Sequence, residues 1–424
     1  MRKLRILWHS VSPFIRSGYG KVTYNITSRL AKLGYQVIVS AYYGVEPGGM
    51  LEIGGCSVVS SKEGSFGVIS AARYAEMFKT NIQILTTDWW AFPQFPKLME
   101  YPVLHSPMDH INYPEEILEF TRLYKHIISI CKWQQANLRK VGIESTYIPH
   151  GVDLSVYKPL NKEKCKELYG VKDKFVFGTV AANSDKEDRK AHTRMMKAMY
   201  WFLENNPDVR KDIVWLYHTV PNDPKGLPLD KICRKWGLKD VVRFMDPSLS
   251  TIYLTEEQMA VLYNAMDTHL LCSKREGFGL PILESMACGV PNICHDFSSM
   301  TELVKDRGWL VKSLGADLNL ETTPLNAETA VPDVYDIADK IARAFFKDKE
   351  RERYSKRARA FALKFNWDDL VMYKWHPLLQ GIAEKLFDES AKLKDGASES
   401  FAEIMDDLRE ALSGGSEGNS GDED

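Results

Sequence analysis

Apolar residues recur near the start of the chain in short runs that are separated by an amphipathic stretch. Leu4 to Trp8 is the first apolar run, and residues 13–20 form a glycine-containing loop. From Lys21 to Leu33 the apolar positions return with the spacing of a helix, which Gly34 ends. Tyr35 to Ala41 is the next apolar run. Strand, helix and strand in this order predict a βαβ unit, and therefore a parallel sheet covered by helices.

The same alternation continues along the chain in two series. The predicted elements are strands at 82–86, 103–106, 126–131 and 146–148, then strands at 175–180, 213–217, 241–244 and 268–272 with helices at 189–204, 228–236 and 256–265. Between the series, Ile148 to Pro159 contains two prolines and a glycine, which indicates a crossing between domains. We therefore predict an α/β fold of two Rossmann-like, doubly wound domains that face each other across a cleft. Ligands of such sheets bind beyond the carboxyl ends of the strands.

Length, composition and charge limit the class of protein. The chain has 424 residues, of which 44% are hydrophobic and 26% charged, as expected for a globular protein of two domains. The net charge of −2 provides no overall basic field, so nucleic acid is not indicated as a partner. The seven cysteines include no CxxC pair, which predicts reduced thiols in a cytoplasmic protein and no metal site. No apolar run approaches the roughly 20 residues that span a bilayer.

The C-terminal region contains four different segments. Residues 347–364 are rich in Lys and Arg and predict a charged helix, for which a solvated surface and a peripheral contact with acidic membrane lipids are alternative interpretations. Residues 366–368 open a further helix. Ser400 to Glu403 is a capping box that starts an amphipathic helix, and a protein partner could bind its apolar stripe. The Gly/Ser-rich acidic residues that follow favour disorder.

The segment from Ser273 to Val290, SKREGFGLPILESMACGV, carries the strongest chemical signal. Glu276 and Glu284 are separated by seven residues, and two glycines between them predict a turn that leads into a helix. The free N–H groups of a helix start bind phosphate. An acid on either side of such a site suits two polyols joined by a phosphate, as in a nucleotide-sugar. An ordinary strand, turn and helix with two solvated glutamates is the alternative interpretation.

The string from Ser273 to Leu303 resembles the E-x7-E signature of the retaining glycosyltransferases of family 4, which have the GT-B fold. The resemblance implies a metal-independent hexosyltransferase that moves a sugar from a nucleotide-sugar to a hydroxyl of a glycan, a lipid-linked sugar or a small molecule. It assigns the donor ribose to Glu284 and the transferred sugar to Glu276. The turn that would hold the diphosphate consists of Gly277, Phe278, Gly279 and Leu280.

The resemblance also implies that the two domains bind different substrates. Residues 1–150 form an acceptor domain, to which a C-terminal helix at about 366–386 returns. Residues 151–365 form the donor domain, and residues 387–424 are an amphipathic helix with a disordered acidic tail.

Cations are needed for the leaving nucleoside diphosphate. The arginine that the family often has after the first strand of the second domain is replaced here by Ala182, so we assign the phosphate clamp to Arg189 and Lys190. A solvated basic pair at a helix start is the alternative. The resemblance further predicts that the loop with Gly18 and Gly20 approaches the donor phosphate, although a GxG string is often only a tight turn.

Polar residues after two strands of the first domain complete the candidate site. His105, Asp109 and His110 follow one strand, and the resemblance places a histidine in this region near the reaction centre. Asp109 and His110 lie further into the loop, so we expect them at the cleft and His105 in the sheet. A core histidine with a backbone partner is the alternative for each. Asp88, followed by two tryptophans, could line the acceptor side, although such an aromatic pair is more often core.

Three other functions stay open on the sequence alone. They are a glycosyltransferase that modifies a DNA base, a nucleotide-sugar epimerase of the same fold, and a non-catalytic glycosyltransferase-like binding protein. The net charge gives the first no support, and the epimerases lack this form of the E-x7-E string. The intact acids and the Arg189–Lys190 pair argue against the third. No cofactor is expected, because a nucleotide-sugar is itself a substrate.

Overall fold

The computed structural model describes residues 4–245, 254–315 and 320–388. These residues form two α/β units, which we name the N-terminal unit and the C-terminal unit, each built on one large sheet. The capping box and apolar stripe predicted near residue 400 lie outside the described residues.

The N-terminal unit is an eight-stranded sheet. Its strands are β1 (Arg5–Val11), β2 (Gln36–Tyr43), β3 (Met50–Ile53), β4 (Cys56–Ser60), β5 (Ile82–Leu85), β6 (Pro102–His105), β7 (His126–Ser129) and β8 (Thr146–Tyr147). They lie in the order β3-β4-β2-β1-β5-β6-β7-β8, and every pair is parallel except the β3–β4 hairpin. The sequence analysis missed this hairpin because β3 is an exposed edge strand without an apolar run.

Helices cover this sheet, and the first of them begins earlier than the sequence predicts. They are α1 (Gly18–Lys32), α2 (Val68–Met77), α3 (Phe95–Leu98), α4 (Glu115–Thr121) and α5 (Lys132–Lys140). The prediction that α1 starts at Lys21 is wrong, because the Ser17 side chain accepts a hydrogen bond from the Gly20 N–H at 3.1 Å and caps the helix three residues earlier. Gly18 and Gly20 therefore belong to its first turn.

The C-terminal unit is a six-stranded parallel sheet with an added hairpin. Its elements are α6 (Lys162–Leu168), β9 (Phe175–Val180), α7 (His192–Asn205), β10 (Ile213–His218), α8 (Leu229–Lys235), β11 (Val242–Phe244), α9 (Glu256–Ala265), β12 (Thr268–Leu271), α10 (Leu280–Ala287), β13 (Asn292–His295), α11 (Ser299–Val304), β14 (Trp309–Val311), β15 (Leu320–Thr322) and β16 (Glu328–Ala330). The sheet order is β11-β10-β9-β12-β13-β14. The β15–β16 hairpin reaches the N-terminal unit, because Ile111 and Glu328 exchange backbone hydrogen bonds of 3.0 and 2.9 Å.

The C-terminal helices lead the chain back to the N-terminal unit. They are α12 (Val334–Phe346), α13 (Asp348–Ala362), α14 (Trp367–Leu370) and, after a π-helical turn at Val371–Trp375, α15 (376–388). Buried residues of this last stretch, such as Trp367 and Trp375, pack into the apolar core under the first sheet. In the part of the chain that the structure describes, none of the helices is both long enough and apolar enough to span a membrane.

Buried histidines lie on strands of both sheets. His9, His269 and His295 are all 0% exposed, and His9 Nδ1 lies 3.0 Å from Ser40 Oγ on the neighbouring strand. Burial lowers the pKa of each of the three to about 4. These side chains are therefore neutral in the folded protein at neutral pH.

The neutral histidines predict a loss of stability in mild acid. Below pH 6.5, the ordinary pKa of histidine, these three side chains bind protons in the unfolded chain. In the folded protein they do not bind protons until the pH approaches 4. The free energy of unfolding should be highest above pH 6.5 and fall towards pH 4, with a contribution from His9 of up to about 3 kcal/mol. Urea unfolding across this range measures it. His9→Gln should flatten part of the decrease, and an unchanged pH slope in that variant would contradict the assignment.

Candidate active site

A cavity of about 1160 Å³ lies between the two units and is lined by both. Its walls come from the loops after β1, β5 and β6 on one side and after β9, β10 and β12 on the other. These are the carboxyl ends of parallel strands, where doubly wound sheets bind their ligands. The volume exceeds the roughly 300–1,000 Å³ of ordinary small-molecule pockets, so the cavity can hold two substrates side by side.

The structure brings nearly all of the predicted site residues to this cavity. Those that line it are Gly18, Asp109, His110, Arg189, Lys190, Glu276, Gly277, Phe278, Gly279, Leu280 and Glu284. Gly20 does not line it, because its Cα faces the backbone of Ile15. His105 is the last residue of β6 and is buried beneath the site, with its ring 4.9 Å from that of Trp375.

The glycine turn between the two acids presents free backbone N–H groups to the cavity. Gly279 caps α10 with φ +91°, a left-handed conformation that favours glycine. The N–H groups of Gly279 and Leu280 donate no hydrogen bond among the described residues. Gly277 passes so close to the N-terminal unit that a Cβ there would lie 2.2 Å from Pro107 Cβ. The turn is therefore an anion site at a helix start, closed on one side by the opposite unit.

Glu276 is buried between two cations. Lys190 Nζ lies 2.5 Å from Glu276 Oε1, Ser273 Oγ donates to the same oxygen at 2.6 Å, and Arg189 Nη1 lies 3.9 Å from Oε2. Burial alone would raise the pKa of Glu276, but Lys190, Arg189 and the hydrogen bonds outweigh it and hold the pKa below its usual value. Both cations precede α7, which begins at His192, so they do not sit on the predicted helix start.

Glu284 forms an ion pair across the cavity with Lys21, which was not among the predicted site residues. Lys21, on the first turns of α1, places Nζ 2.5 Å from Glu284 Oε1 and 3.3 Å from Glu256 Oε1. The same ammonium donates to Tyr157 OH at 3.1 Å, and Tyr263 OH donates to Glu284 Oε2 at 2.9 Å. Burial would lower the pKa of Lys21, but Glu284, Tyr157 and Glu256 raise it above its usual value. Lys21 is therefore a fixed positive charge that joins the two units.

The side chains of Asp109 and His110 contact each other at the opposite side of the cavity. His110 Nδ1 lies 2.8 Å from Asp109 Oδ1. Burial would raise the pKa of Asp109, but the hydrogen bond and charge of His110, followed by the charges of Arg275 and Arg189, lower it to about 2. The other ring nitrogen of His110, Nε2, is buried and has no hydrogen-bond partner among the described residues. That nitrogen is available to a ligand.

Arg275 is a second residue that the sequence analysis overlooked. It lines the cavity, with Nε 3.9 Å from Asp109 Oδ2 and Nη2 3.4 Å from Glu187 Oε2. The signals that could have found the two missed cations are their positions, since Lys21 follows the SGYG loop directly and Arg275 directly precedes Glu276.

Across residues 4–245, 254–315 and 320–388, no group of three His, Cys, Asp or Glu side chains is arranged to hold a metal ion.

Comparison with known proteins relates part of the chain to a glycosyltransferase family. Residues 191–319, which include the glycine turn and both acids, match the family model described as glycosyl transferases group 1. The match covers less than a third of the 424 residues, so it shows a similarity of this segment to that family. The GT-B fold predicted from the sequence is confirmed by the solved structures described below.

The similar curated proteins match only part of the chain. O-antigen chain mannosyltransferase B of Escherichia coli is 37% identical over 117 residues, which are 28% of this chain and 26% of that protein. D-inositol 3-phosphate glycosyltransferase of Kribbella flavida is 26% identical over 226 residues, or 51% of this chain and 46% of that protein. The chain thus spans between a quarter and a half of the length of these relatives.

Solved structures match the chain over about nine tenths of its length. Sucrose-phosphate synthase from Thermosynechococcus elongatus aligns with 90% of this chain and 100% of its own, at a TM-score of 0.71 and 18% identity. Anabaena HepE in complex with UDP and glucose aligns with 91% of this chain and 100% of its own, at a TM-score of 0.65 and 16% identity. At these identities the likeness shows the fold.

We expect alanine at the two glycines of α1 to change the free energy of unfolding by different amounts. A Cβ on Gly20 would lie 2.0 Å from the carbonyl oxygen of Ile15, whereas the nearest atom to a Cβ on Gly18 is Leu280 Cδ1 at 3.8 Å. Gly20→Ala should therefore lower the free energy of unfolding by about 2 kcal/mol. Gly18→Ala should stay within about 1 kcal/mol of the wild type, since alanine favours the helix. Urea unfolding measures both, and equal stabilities would contradict the prediction.

The contact between Lys21 and Glu284 predicts strong coupling between the units. Lys21→Met leaves a buried carboxylate without its cation and should lower the free energy of unfolding by about 3 kcal/mol. Glu284→Gln should cost clearly less in the Lys21→Met background than in the wild type, with a coupling of at least about 1 kcal/mol. The control is Arg122→Met, which removes an exposed ion pair with Glu115 and should cost less than about 0.5 kcal/mol. Additive effects of the two cleft substitutions would refute the coupling.

Proposed function

We propose that this protein is a retaining hexosyltransferase that moves a sugar from a nucleotide-sugar to an acceptor hydroxyl without a metal ion. One observation carries the proposal. The open N–H groups of Gly279 and Leu280 lie in a cleft between two buried carboxylates, Glu276 and Glu284, each of which faces a lysine. This arrangement matches a ligand with a diphosphate between two polyols.

The nucleotide half of the donor belongs with Glu284. Each oxygen of this carboxylate accepts one hydrogen bond from the protein, from Lys21 or from Tyr263, and each retains capacity for one more. Two adjacent ribose hydroxyls can supply those bonds, and both would be charge-assisted. Lys21 and Tyr263 hold the carboxylate in a single orientation, so little of the binding energy is spent on ordering it.

The sugar half of the donor belongs with Glu276, and the departing charge belongs with the basic pair. In the proposed reaction the bond between C1 of the sugar and the diphosphate oxygen breaks while the acceptor oxygen bonds to C1 on the same face. Negative charge then develops on the diphosphate, where Arg189, Lys190 and the helix start can stabilise it. His110 Nε2, which has no partner among the described residues, is available to a sugar hydroxyl.

The comparisons support this function through what other proteins do. The relatives are named as a mannosyltransferase and an inositol phosphate glycosyltransferase, and the HepE structure contains UDP and glucose. A nucleoside diphosphate sugar is therefore the donor class that we propose for this chain. We further propose that residues 1–150, with the returning helix at 366–386, bind the acceptor and that residues 151–365 bind the donor.

The proposal predicts different defects for the two acids. Glu276→Gln should lower kcat at least about 100-fold while nucleoside diphosphate binding persists, because its contact is with the transferred sugar. Glu284→Gln should weaken nucleoside diphosphate binding at least about 10-fold, because it removes charge-assisted hydrogen bonds to ribose. The measurements are calorimetric binding of UDP, GDP and ADP and diphosphate release from the corresponding sugars. Glu116→Gln, at an exposed position of α4, is the matched control.

The product decides the stereochemical part of the proposal. Proton NMR of the glycoside should show the anomeric configuration of the donor. An inverted product would contradict retention, and a wild-type protein that releases diphosphate from none of these nucleotide-sugars would contradict the function itself. Activity that survives exhaustive treatment with EDTA is expected, and loss of activity restored by a divalent cation would contradict metal independence.

A further inference from the structure

Two adjacent tryptophans after β5 have opposite environments. They lie in a 3-10 turn at Trp89–Ala91. Trp89 is 2% exposed, and its indole N–H donates to Thr121 Oγ1 at 2.9 Å. Trp90 is 39% exposed and lines the cavity, and among the described residues its indole N–H has no hydrogen-bond partner. Trp89 is therefore a core residue, whereas Trp90 presents a large apolar ring to a polar cleft.

Asp88 directly precedes this turn, but its side chain does not cap the turn. An aspartate at the cap of a turn ordinarily accepts a hydrogen bond from the N–H groups that follow. Here the Asp88 side chain makes no capping bond, and the Trp89 N–H donates to Ser106 Oγ at 3.3 Å instead. Tyr19 OH donates to Asp88 Oδ1 at 2.6 Å. Within the described residues Oδ2 accepts no hydrogen bond, so one carboxylate oxygen remains for a ligand.

Asp88 lies beside the groups that we assign to the reaction. It lines the same cavity as Asp109, His110 and Arg189 and is close enough for its charge to interact with all three. The residues that we assign to the donor or to the reaction centre come from the loops after β6, β9 and β12 and from α1 and α10. Asp88 and Trp90 come from the loop after β5 and have no role in that assignment. Together they form an unassigned wall of the cleft on the side of the N-terminal unit.

The chemistry of this wall selects among acceptor classes. An aromatic ring next to a carboxylate suits a pyranose, which offers an apolar face of C–H groups and a rim of hydroxyl donors. A phosphorylated acceptor or a DNA backbone would bring negative charge towards Asp88 and Asp109. A lipid chain would use the ring of Trp90 but leave the exposed carboxylate of Asp88 without a partner from the ligand. An uncharged sugar satisfies both side chains.

We propose that Asp88 and Trp90 form an acceptor subsite for the pyranose ring of an uncharged sugar, with Trp90 stacked on the ring and Asp88 Oδ2 accepting a hydrogen bond from the hydroxyl next to the attacking one. The inference rests on the proposed glycosyltransferase function. In the reaction the acceptor oxygen bonds to C1 of the donor sugar, and the bond from C1 to the diphosphate breaks. The hydroxyl proton leaves with the departing diphosphate oxygen. Asp88 orients the acceptor through the neighbouring hydroxyl and is unchanged at the end.

Binding of the acceptor can be tested without turnover. Saturation-transfer-difference NMR is recorded on the full chain with UDP or GDP and with methyl pyranosides of glucose, mannose, galactose and N-acetylglucosamine. Glycerol and 5-hydroxymethylcytidine serve as non-pyranose probes. At least one pyranoside should receive saturation on its ring protons, Trp90→Ala should abolish it, and Trp90→Phe should retain part of it. The control Tyr43→Ala removes an aromatic ring that is 60% exposed outside the cavity and should leave it unchanged.

Kinetics separate this subsite from the donor site. With the pyranoside that binds, Trp90→Ala should raise the acceptor KM at least about 10-fold, as expected for loss of a stacked ring. Asp88→Asn should lower kcat at least about 100-fold, since the attacking hydroxyl loses its orientation. Both variants should bind the nucleoside diphosphate within twofold of the wild type.

The outcomes distinguish the two proposals. The subsite is overturned if no pyranoside receives saturation, if 5-hydroxymethylcytidine does so instead, or if both variants transfer sugar as the wild type does. The underlying function fails separately, when the wild-type protein neither binds a nucleoside diphosphate nor releases one from a nucleotide-sugar.

Discussion

The arrangement of the cleft depends on the electrostatic cost of burying two carboxylates. Glu276 and Glu284 are 7% and 5% exposed, and a carboxylate removed from water to that degree requires a cation or several hydrogen-bond donors. Lys190 meets this requirement for Glu276 from within the C-terminal unit, whereas Lys21 meets it for Glu284 from the N-terminal unit. Bringing the two units together and neutralising Glu284 are therefore the same event. The β15–β16 hairpin adds a second connection between the units through Ile111 and Glu328.

Local sequence signals account for most of the architecture. The predicted helix 256–265 coincides with α9, because Thr255 and Gln258 form a capping box at its start. Strands β1, β2 and β5 to β12 were recognised because buried strands read as continuous apolar runs, whereas β13 and β14 were not predicted. The β3–β4 hairpin escaped because its edge strand is exposed, and α1 was placed too late because the glycines after Ser17 resemble a loop rather than a first turn.

The candidate site could be predicted only where its residues are close together along the chain. The E-x7-E segment contains its own strand end, turn and helix start, so its geometry follows from local rules. Lys21 and Arg275 act on acids that belong to other elements or to the other unit, and no spacing along the chain encodes such pairs. Gly20 shows the converse, since a glycine predicted to bind the donor instead allows α1 to pass close to Ile15. The roles given to the remaining site residues stay predictions.

The return of the C-terminal helices to the first sheet has a consequence for how the protein is made. Trp367, Trp375 and Leu379 complete the core beneath strands that end by residue 147, yet they emerge from the ribosome more than 200 residues later. At about 5–20 residues per second, that interval lasts on the order of ten to forty seconds. Throughout it the nascent N-terminal unit exposes an apolar face that includes Trp8, while the whole sheet of the C-terminal unit has already been synthesised. The unit that is translated first is therefore the last to complete this core.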